Sequence, residues 1–324
     1  MLETSFTRLI GCRHPIQLAP IGGLNLVAAV ADAGGLGMLA THVPSAAELE
    51  AGLDALAART RGVFGVNFLM PFLDRASLEI AARRARVVEF FYGDPDAALV
   101  KTAGASGALV GWQAGSLAEA VAAENAGCDF IVAQGSEAGG HVRGASSLLP
   151  LLAQVVSALR VPVVAAGGIA TARDLAAVLA CGASAARIGT RFVASLESDA
   201  HPDYIAALLA ARAEDTCLTE TFSAGWPNAP HRVLRSAINA AAQFSGEVAG
   251  VTQFRGRDLP IPRFSTFPPT KETTGQVDAM ALYAGESVAN IDSVKSAAEI
   301  IGELCGGAER LLEEAGRSLK SASS

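Results

Sequence analysis

Eight short apolar segments alternate with Ala-rich stretches of helical periodicity over the first two thirds of the chain. The apolar segments show no polar alternation, which is typical of a parallel sheet buried on both faces. Helix-capping signals mark several of the stretches between them, since Ser45 and Ser116 are each followed three residues later by a glutamate. The predicted strands are 16–21, 35–40, 62–69, 86–93, 108–115, 128–135, 161–168 and 183–190, and the predicted helices are 24–33, 45–59, 74–84, 95–104, 116–126, 146–159 and 171–181.

This order of elements predicts an α/β fold, a (β/α)8 TIM barrel. A doubly wound open sheet has the same order of elements and is the alternative, because a sequence pattern does not show whether the sheet closes.

The pattern changes after the eighth strand. Helical periodicity appears at 198–213 and 231–243, on either side of a stretch with Trp226 and two prolines, and it returns at 277–288 and 293–316. We therefore predict two parts of the chain. Residues 1–199 and 277–324 form the barrel with its C-terminal helices, and residues 200–276 form an insertion after strand 8 that covers the barrel mouth.

Composition and charge exclude several classes of partner. The chain has 324 residues, 51% of them hydrophobic, and a formal net charge of −7 with no long basic run. Nucleic acid is therefore not expected as a partner. No apolar run reaches about 18 residues and the N-terminus has no signal-peptide architecture, so we expect a cytoplasmic protein that does not bind membranes. A homodimer is compatible with the sequence.

The five cysteines lie far apart and form no CxxC pair. Disulfide frameworks and metal sites need clustered ligands, so we expect neither, and the cysteines are interpreted as small apolar residues.

Two glycine loops at the ends of the last two strands predict a phosphate site. Gly167 and Gly168 follow strand seven, and Gly189 and Thr190 follow strand eight. Glycines between a strand and a helix let backbone N–H groups approach an anion, and these two positions are the usual phosphate site of this barrel.

His141 is the candidate for proton transfer. It follows Gly139 and Gly140 after strand six, and a neutral imidazole can accept or donate a proton near pH 7. The alternative is a loop histidine that caps a backbone group. Glu137 is a candidate to orient His141 or to contact a cofactor, and His42 is a second histidine at a strand end.

Buried amides indicate a polar cofactor. Asn67 and Gln134 lie in apolar strands, where polar groups need partners. With a phosphate site and no nucleophile–base pair, they favour a phosphorylated cofactor, and flavin mononucleotide (FMN) fits. Trp112 is interpreted either as barrel packing or as a wall against the flavin ring.

The segments PIQLAPIGGLNLVAAVADAGGLGMLA, GVNFLMP, GCDFIVAQGSEAGGHVRG and ARIGTRFVAS resemble the nitronate monooxygenase family, formerly called 2-nitropropane dioxygenases. The resemblance covers about residues 8–205. It implies an FMN-bearing barrel that oxidises alkyl nitronates with O2 to carbonyl compounds and nitrite. His141 matches the family's catalytic histidine, which deprotonates a nitroalkane or holds an anionic nitronate. The flavin contacts that the resemblance implies are Ala19, Pro20, Asn67, Gln134, Gly139, Gly168, Arg187, Gly189 and Thr190.

One position departs from the family pattern. Some members carry a lysine at the end of strand five that favours negative charge on the reduced flavin. This sequence has GWQAGS there, so Gln113 or backbone N–H groups are expected in its place.

The motifs GVN, EAGGH and GTRF also occur in FMN-dependent enoyl-acyl-carrier-protein reductases, and related barrels act as quinone reductases. An NAD(P)H-dependent FMN reductase is therefore the alternative function. A non-catalytic flavin sensor is disfavoured, because binding alone needs no titratable group in the EAGGH loop.

For an acidic carrier protein, the insertion offers Arg232, Arg235, Arg255, Arg257 and Arg263, which are otherwise solvated charges. Phe68, Met70, Phe72 and Trp226 are candidates for the wall of the substrate pocket.

Overall fold

Eight parallel strands form the barrel in the computed structural model, which describes residues 2–41, 45–254 and 257–321. A two-residue strand, β7 (Gly140–His141), lies outside the barrel, between the sixth and seventh barrel strands in the chain. The barrel strands are β1 (Ile16–Leu18), β2 (Gly37–Ala40), β3 (Phe64–Leu69), β4 (Val87–Phe91), β5 (Leu109–Ala114), β6 (Phe130–Gln134), β8 (Val163–Ala166) and β9 (Ala185–Ile188).

The two ends of this sheet meet at β1. That strand pairs with β9 on one side, and on the other the Leu18 N–H donates to the Leu36 carbonyl (2.9 Å) and the Leu36 N–H to the Ile16 carbonyl (2.8 Å). The predicted barrel is therefore confirmed, and the open-sheet alternative is wrong.

Helices cover the outside of the barrel, and the sequence signals that start them are confirmed. The Ser45, Ser116 and Thr171 hydroxyls each accept the N–H three residues later, which satisfies a donor left free at a helix start. The helices are α1 (Ser5–Ile10), α2 (Leu24–Asp32), α3 (Ala46–Arg59), α4 (Arg75–Arg84), α5 (Ala97–Gly104), α6 (Leu117–Asn125), α7 (Leu148–Ala158), α8 (Ala172–Ala180), α9 (Thr190–Val193), α10 (Pro202–Ala210), α11 (Arg235–Gln243) and α12 (Ala297–Ser321). None of the helices in the described ranges is long and apolar enough to cross a membrane.

The barrel interior is apolar at the amino ends of its strands. Phe6 and Ile10 of α1 are buried there in one cluster with Met38, Phe130 and Val164, and the Phe6 ring meets the Phe130 ring edge to face at 5.7 Å. α1 therefore covers the amino ends of the barrel strands.

The region after β9 adds two three-stranded antiparallel sheets. Their strands are β10 (Thr216–Thr219), β11 (His231–Leu234), β12 (Val248–Phe254), β13 (Arg257–Pro262) and β14 (Thr273–Gly275). One sheet has the order β13–β12–β14, and the other has the order β10–β11–β7. The insertion after strand 8 therefore pairs directly with the loop that carries His141. The division at residues 200 and 277 stays a prediction.

Two predicted helices in this region are wrong in part. The helix at 231–243 begins only at Arg235, because its first residues form β11. The segment 277–288 contains only 3-10 turns, at Val277–Ala279 and Glu286–Asn290. Its backbone pairs instead with β11, where the Leu234 N–H donates to the Leu282 carbonyl (2.9 Å), so tertiary pairing overrides the local helical pattern.

Candidate active site

A layer of polar side chains lies inside the barrel, above the apolar cluster. Gln17 Nε2 and Asn67 Nδ2 donate to the two oxygens of Glu89, each at 2.8 Å. The Arg187 guanidinium donates to Glu89 and to Gln113 Oε1. All five side chains are at most 4% exposed, so a buried ion pair and three amides share one network.

Two atoms of this layer remain without a partner. Arg187 Nε, a donor, and Gln17 Oε1, an acceptor, are buried and form no hydrogen bond with any described residue. Buried polar groups in native proteins are usually satisfied. The layer therefore fits a ligand that carries both acceptors and a donor along one edge, as a flavin ring does.

Asn67 and Arg187 are predicted site residues, whereas Glu89 and Gln17 are not among the predictions. A signal was present, because Glu89 interrupts the apolar run VVEFF of a strand buried on both faces. A carboxylate there requires a buried partner.

The predicted phosphate loops lie at the carboxyl ends of β8 and β9, which are neighbours in the sheet. Gly167 (φ +110°) and Gly168 (φ +70°) have backbone conformations that favour glycine, and their N–H groups donate to no acceptor in the described parts of the chain. A Cβ on Gly189 would be 3.2 Å from the Cβ of Ala19, after β1. The loops that carry Ala19, Pro20, Gly168 and Gly189 therefore follow three adjacent strands.

Thr190 links these loops to the chain before α12. Its Oγ1 accepts the Gly285 N–H (3.0 Å) and keeps its own hydrogen to donate. Gly139 also lies against this segment, since a Cβ there would be 2.5 Å from the Gly285 nitrogen. The Glu286 N–H donates to the Glu137 carbonyl (3.0 Å), so residues 285 and 286 hold the loop that precedes His141.

The backbone of His141 is fixed from two sides. In β7 it pairs with His231 of β11. The Gln134 amide donates to the His141 carbonyl (2.9 Å) and accepts the Arg143 N–H (3.4 Å). Gln134 was predicted as a flavin contact, and in the structure it holds the His141 loop.

The His141 imidazole lies among aromatic rings. Trp226 of the insertion stacks on it, with ring centroids 4.0 Å apart and planes inclined by 23°. The rings of His231, Tyr283 and Tyr92 surround it at centroid distances of 5.3, 5.7 and 5.9 Å. This aromatic box, formed by Tyr92, Trp226, His231 and Tyr283, limits the access of water to the imidazole.

The titratable members of the aromatic box are neutral near pH 7. Burial raises the pKa of Tyr92 to about 12 and also raises the pKa of Tyr283. Burial lowers the pKa of His231, whose Nε2 accepts the Phe222 N–H (3.2 Å), so its Nδ1 carries the hydrogen bonded to the Ala229 carbonyl (2.9 Å). With both its nitrogens in use, His231 does not exchange protons with His141.

Other predicted site residues have structural roles. Glu137 accepts the Leu148 N–H at the start of α7 (3.0 Å), where a negative charge stabilises a helix, so it is not a free loop carboxylate. Trp112 and Phe68 are buried in the core between sheet and helices, which confirms the packing interpretation of Trp112 and removes Phe68 from the pocket wall. His42 lies outside the described residues.

Phe72 remains at the edge of the aromatic box. It is 39% exposed and meets Trp226 edge to face at 5.2 Å. Met70 is partly buried against the core between sheet and helices.

Three of the insertion's described arginines donate to backbone carbonyls. Arg232 donates to the Ser136 carbonyl (2.9 Å) and pairs with Glu286 (3.2 Å). Arg263 donates to two carbonyls of the α11 region, and Arg235 to the Thr216 carbonyl. Arg235 and Arg257 are exposed and Arg255 lies outside the described residues, so the predicted basic patch for a carrier protein is reduced to two exposed side chains among those described.

The chain is similar to proteins that carry two different enzyme names. A nitronate monooxygenase of Pseudomonas aeruginosa is 34% identical over 278 residues, which cover 69% of this chain and 79% of that protein. A (3aS,4S,5R,7aS)-5-hydroxy-7a-methyl-1-oxo-octahydro-1H-indene-4-carboxyl-CoA dehydrogenase of Rhodococcus jostii is 34% identical over 254 residues, which cover 77% and 70%.

Solved structures match over almost the whole chain. FabK from Thermotoga maritima aligns with a TM-score of 0.81 and 27% identity over 99% of this chain and 100% of that one. A nitroalkane oxidase from Streptomyces ansochromogenes aligns with a TM-score of 0.77 and 29% identity over 98% and 100%.

The family description "nitronate monooxygenase" matches residues 3–83 and 72–307. The chain therefore belongs to the nitronate monooxygenase family and is an oxidoreductase of that type.

Proposed function

We propose that the protein binds FMN at the barrel mouth and oxidises alkyl nitronates with O2 to carbonyl compounds and nitrite. The observation that carries this proposal is the position of His141, which is fixed by β11 and Gln134 and enclosed by aromatic rings. The membership in the family and the similarity to a nitroalkane oxidase support the substrate class.

The residues of the mouth fit FMN. The N–H groups of Gly167, Gly168 and Gly189 and the Thr190 hydroxyl would hold the phosphate, as anion sites at strand–helix turns do. Arg187 Nε, Gln17 Oε1 and Asn67 would contact the ring, with Ala19, Pro20 and Gly139 beside it. FMN, when bound, supplies the acceptor for the electrons of the nitronate.

His141 prepares the substrate. Its neutral imidazole takes the proton from the carbon next to the nitro group, and the electron pair of that C–H bond moves into the C=N bond of the nitronate. The imidazolium then holds the anionic nitronate oxygen. In the low-dielectric aromatic box this pairing is stronger than in water. A substrate that arrives as nitronate needs only the second role.

Arg187 takes the place of the lysine that some family members carry at the end of strand five. The expected substitute, Gln113, accepts a hydrogen bond from Arg187, so its carbonyl oxygen is directed to that cation. The positive charge within the layer of polar side chains is therefore the Arg187 guanidinium, which Glu89 partly compensates.

The test compares two histidine-to-asparagine variants on a neutral nitroalkane and on its preformed nitronate. We expect His141→Asn to lower kcat/KM for the neutral substrate by about 100- to 10,000-fold, the usual contribution of a general base, and to affect the nitronate much less. His201→Asn is the control, because His201 caps α10 and asparagine also caps helices. A His141→Asn protein that binds FMN and turns over the neutral nitroalkane at the wild-type rate would remove the proposed base.

An NAD(P)H-dependent FMN reductase remains the second candidate. The observation in its favour is the 34% identity to a CoA-thioester dehydrogenase, which equals the identity to the nitronate monooxygenase. In that reaction His141 would donate a proton to the substrate instead of removing one.

A further inference from the structure

Trp226 is the neighbour in closest contact with the face of the His141 ring. Their centroids are 4.0 Å apart and their planes are nearly parallel, whereas the other rings of the aromatic box are more than 5 Å away and inclined by 47° or more. Trp226 is itself only 8% exposed. It is held between the Phe72 and Tyr92 rings at 5.2 and 4.8 Å, so the stack is fixed from both sides.

Nothing in the function assigned so far uses this stack. An indole face carries partial negative charge and attracts a cation placed over it, and tryptophan is the strongest of the aromatic residues in this respect. A neutral imidazole gains little from the same contact. Stacking therefore favours the protonated form of His141 over the neutral form.

The neutral groups around His141 do not compete with this effect. Tyr92 at the end of β4 and Tyr283 before the 286–290 turn keep their protons because burial raises their pKa. His231 of β11 stays neutral because burial lowers its pKa. None of the three supplies a charge to the imidazole near pH 7.

Two arginines near the aromatic box are paired. Arg143, 6.0 Å from the Tyr92 ring, is bonded to Glu119 and Asp94. Arg232, which pairs with Gly140 in the sheet, bonds Ser136 and Glu286.

Glu220 is a further charge of this region. It raises the pKa of both His231 and Tyr92 through its electrostatic field. Every variant proposed below leaves this charge in place.

We propose that Trp226 is a positioning residue that stabilises the protonated form of His141 by stacking on its ring, and so strengthens this histidine as a base toward neutral nitroalkanes. The proposal rests on the proposed function for the substrate. The stacking effect itself is a property of the protein alone.

The experiment measures the protonation of His141 directly, by NMR of histidine side chains over a pH series. Three FMN-loaded proteins are compared: wild type, Trp226→Phe and Trp226→Leu. We expect the titration midpoint of His141 to fall in that order. In Trp226→Leu the acid dissociation constant of the His141 imidazolium should rise about three- to tenfold, which is the size of a partly desolvated cation–π contact. The titration midpoint of His201, which caps α10, serves as the internal control.

The sign of the shift decides between two physical effects. Leucine is smaller than tryptophan, so if burial alone governed His141, the Leu variant would admit water and its midpoint would rise. A rise, an unchanged midpoint, or equal values for Phe and Leu would each overturn the proposal. If a variant fails to fold, the His201 signal reports it, and Trp226→Phe then carries the test against wild type.

Activity gives a second and separate readout. If the proposal holds, the acid limb of the kcat/KM profile for a neutral nitroalkane moves with the NMR midpoint in Trp226→Leu. A shifted midpoint without nitroalkane turnover in any protein would leave the stacking effect in place and contradict the proposed function. Turnover that depends on His141, with no shift of the midpoint, would support the proposed function and contradict the stacking effect.

Discussion

Glu89 carries a carboxylate into the barrel interior with no solvent exposure. Such a charge is tolerated only when it is paired and hydrogen-bonded, and Arg187, Asn67 and Gln17 satisfy this requirement. The pair therefore keeps the polar layer in place and fixes the Arg187 guanidinium within it.

This pairing predicts an asymmetric response to mutation. Arg187→Met leaves Glu89 charged and buried, and we expect the free energy of unfolding to fall by about 3–5 kcal/mol. The double variant Glu89→Gln/Arg187→Met removes both charges, so its free energy of unfolding should fall by less than that of Arg187→Met. Urea denaturation of the FMN-free proteins measures both values.

The control is Arg84→Met at the surface, where Arg84 pairs with exposed Glu50 and Asp54. It should cost less than about 1 kcal/mol. Equal losses for Arg187→Met and Arg84→Met would contradict the buried-pair account.

Residue by residue, the sequence predicts what local spacing encodes. The glycines after strands seven and eight and His141 after a glycine pair lie at the barrel mouth as predicted. The contact of His141 with Trp226 and the pairing of Glu89 with Arg187 join residues that are far apart in the chain, so no local pattern indicates them.

At the scale of elements, the loops at the carboxyl ends of the barrel strands are held by backbone geometry more than by side chains. Gly167 and Gly168 both have positive φ, and β7 is positioned by β11 of the insertion. The helix predicted at 277–288 is wrong because backbone groups of this segment form hydrogen bonds with β11 and not with one another in a helix.

The glycine loop yields a prediction with a matched control. Gly168→Ala places a methyl group at φ +70° and 3.1 Å from Glu137 Cγ, whereas Gly107→Ala has a similar φ of +91° and open space. Both variants should lose about 1–2 kcal/mol of stability from the left-handed backbone. Only Gly168→Ala should also weaken FMN binding, by tenfold or more, because the N–H groups that would hold the phosphate move.

Quenching of FMN fluorescence in a titration of the FMN-free protein measures this affinity. Equal FMN affinities of the two variants would show that the loop after β8 does not bind the phosphate.

At the scale of the whole molecule, the alternation of apolar and Ala-rich segments predicts eight βα units, because each unit repeats the same local signals. The closure that excludes the open sheet is a long-range pairing of β1 with β9 and with Leu36, which no local pattern encodes. The insertion was predicted only as a region. One of its small sheets forms by pairing with β7 of a barrel loop, and the other consists of insertion strands alone. Its arginines bond both to the insertion and to neighbouring segments of the barrel. The barrel supplies the polar layer and the two glycine loops, and the insertion supplies the second face of the proposed catalytic site.

The oxidation of nitronates by FMN in this barrel is tested by an anaerobic titration of the purified FMN-loaded protein with propionate 3-nitronate and, separately, with NADH. The visible absorption of the flavin is followed in both titrations. We expect rapid loss of the oxidised flavin spectrum with the nitronate and no change with NADH. Rapid bleaching by NADH without a response to the nitronate would contradict nitronate oxidation and establish the reductase instead.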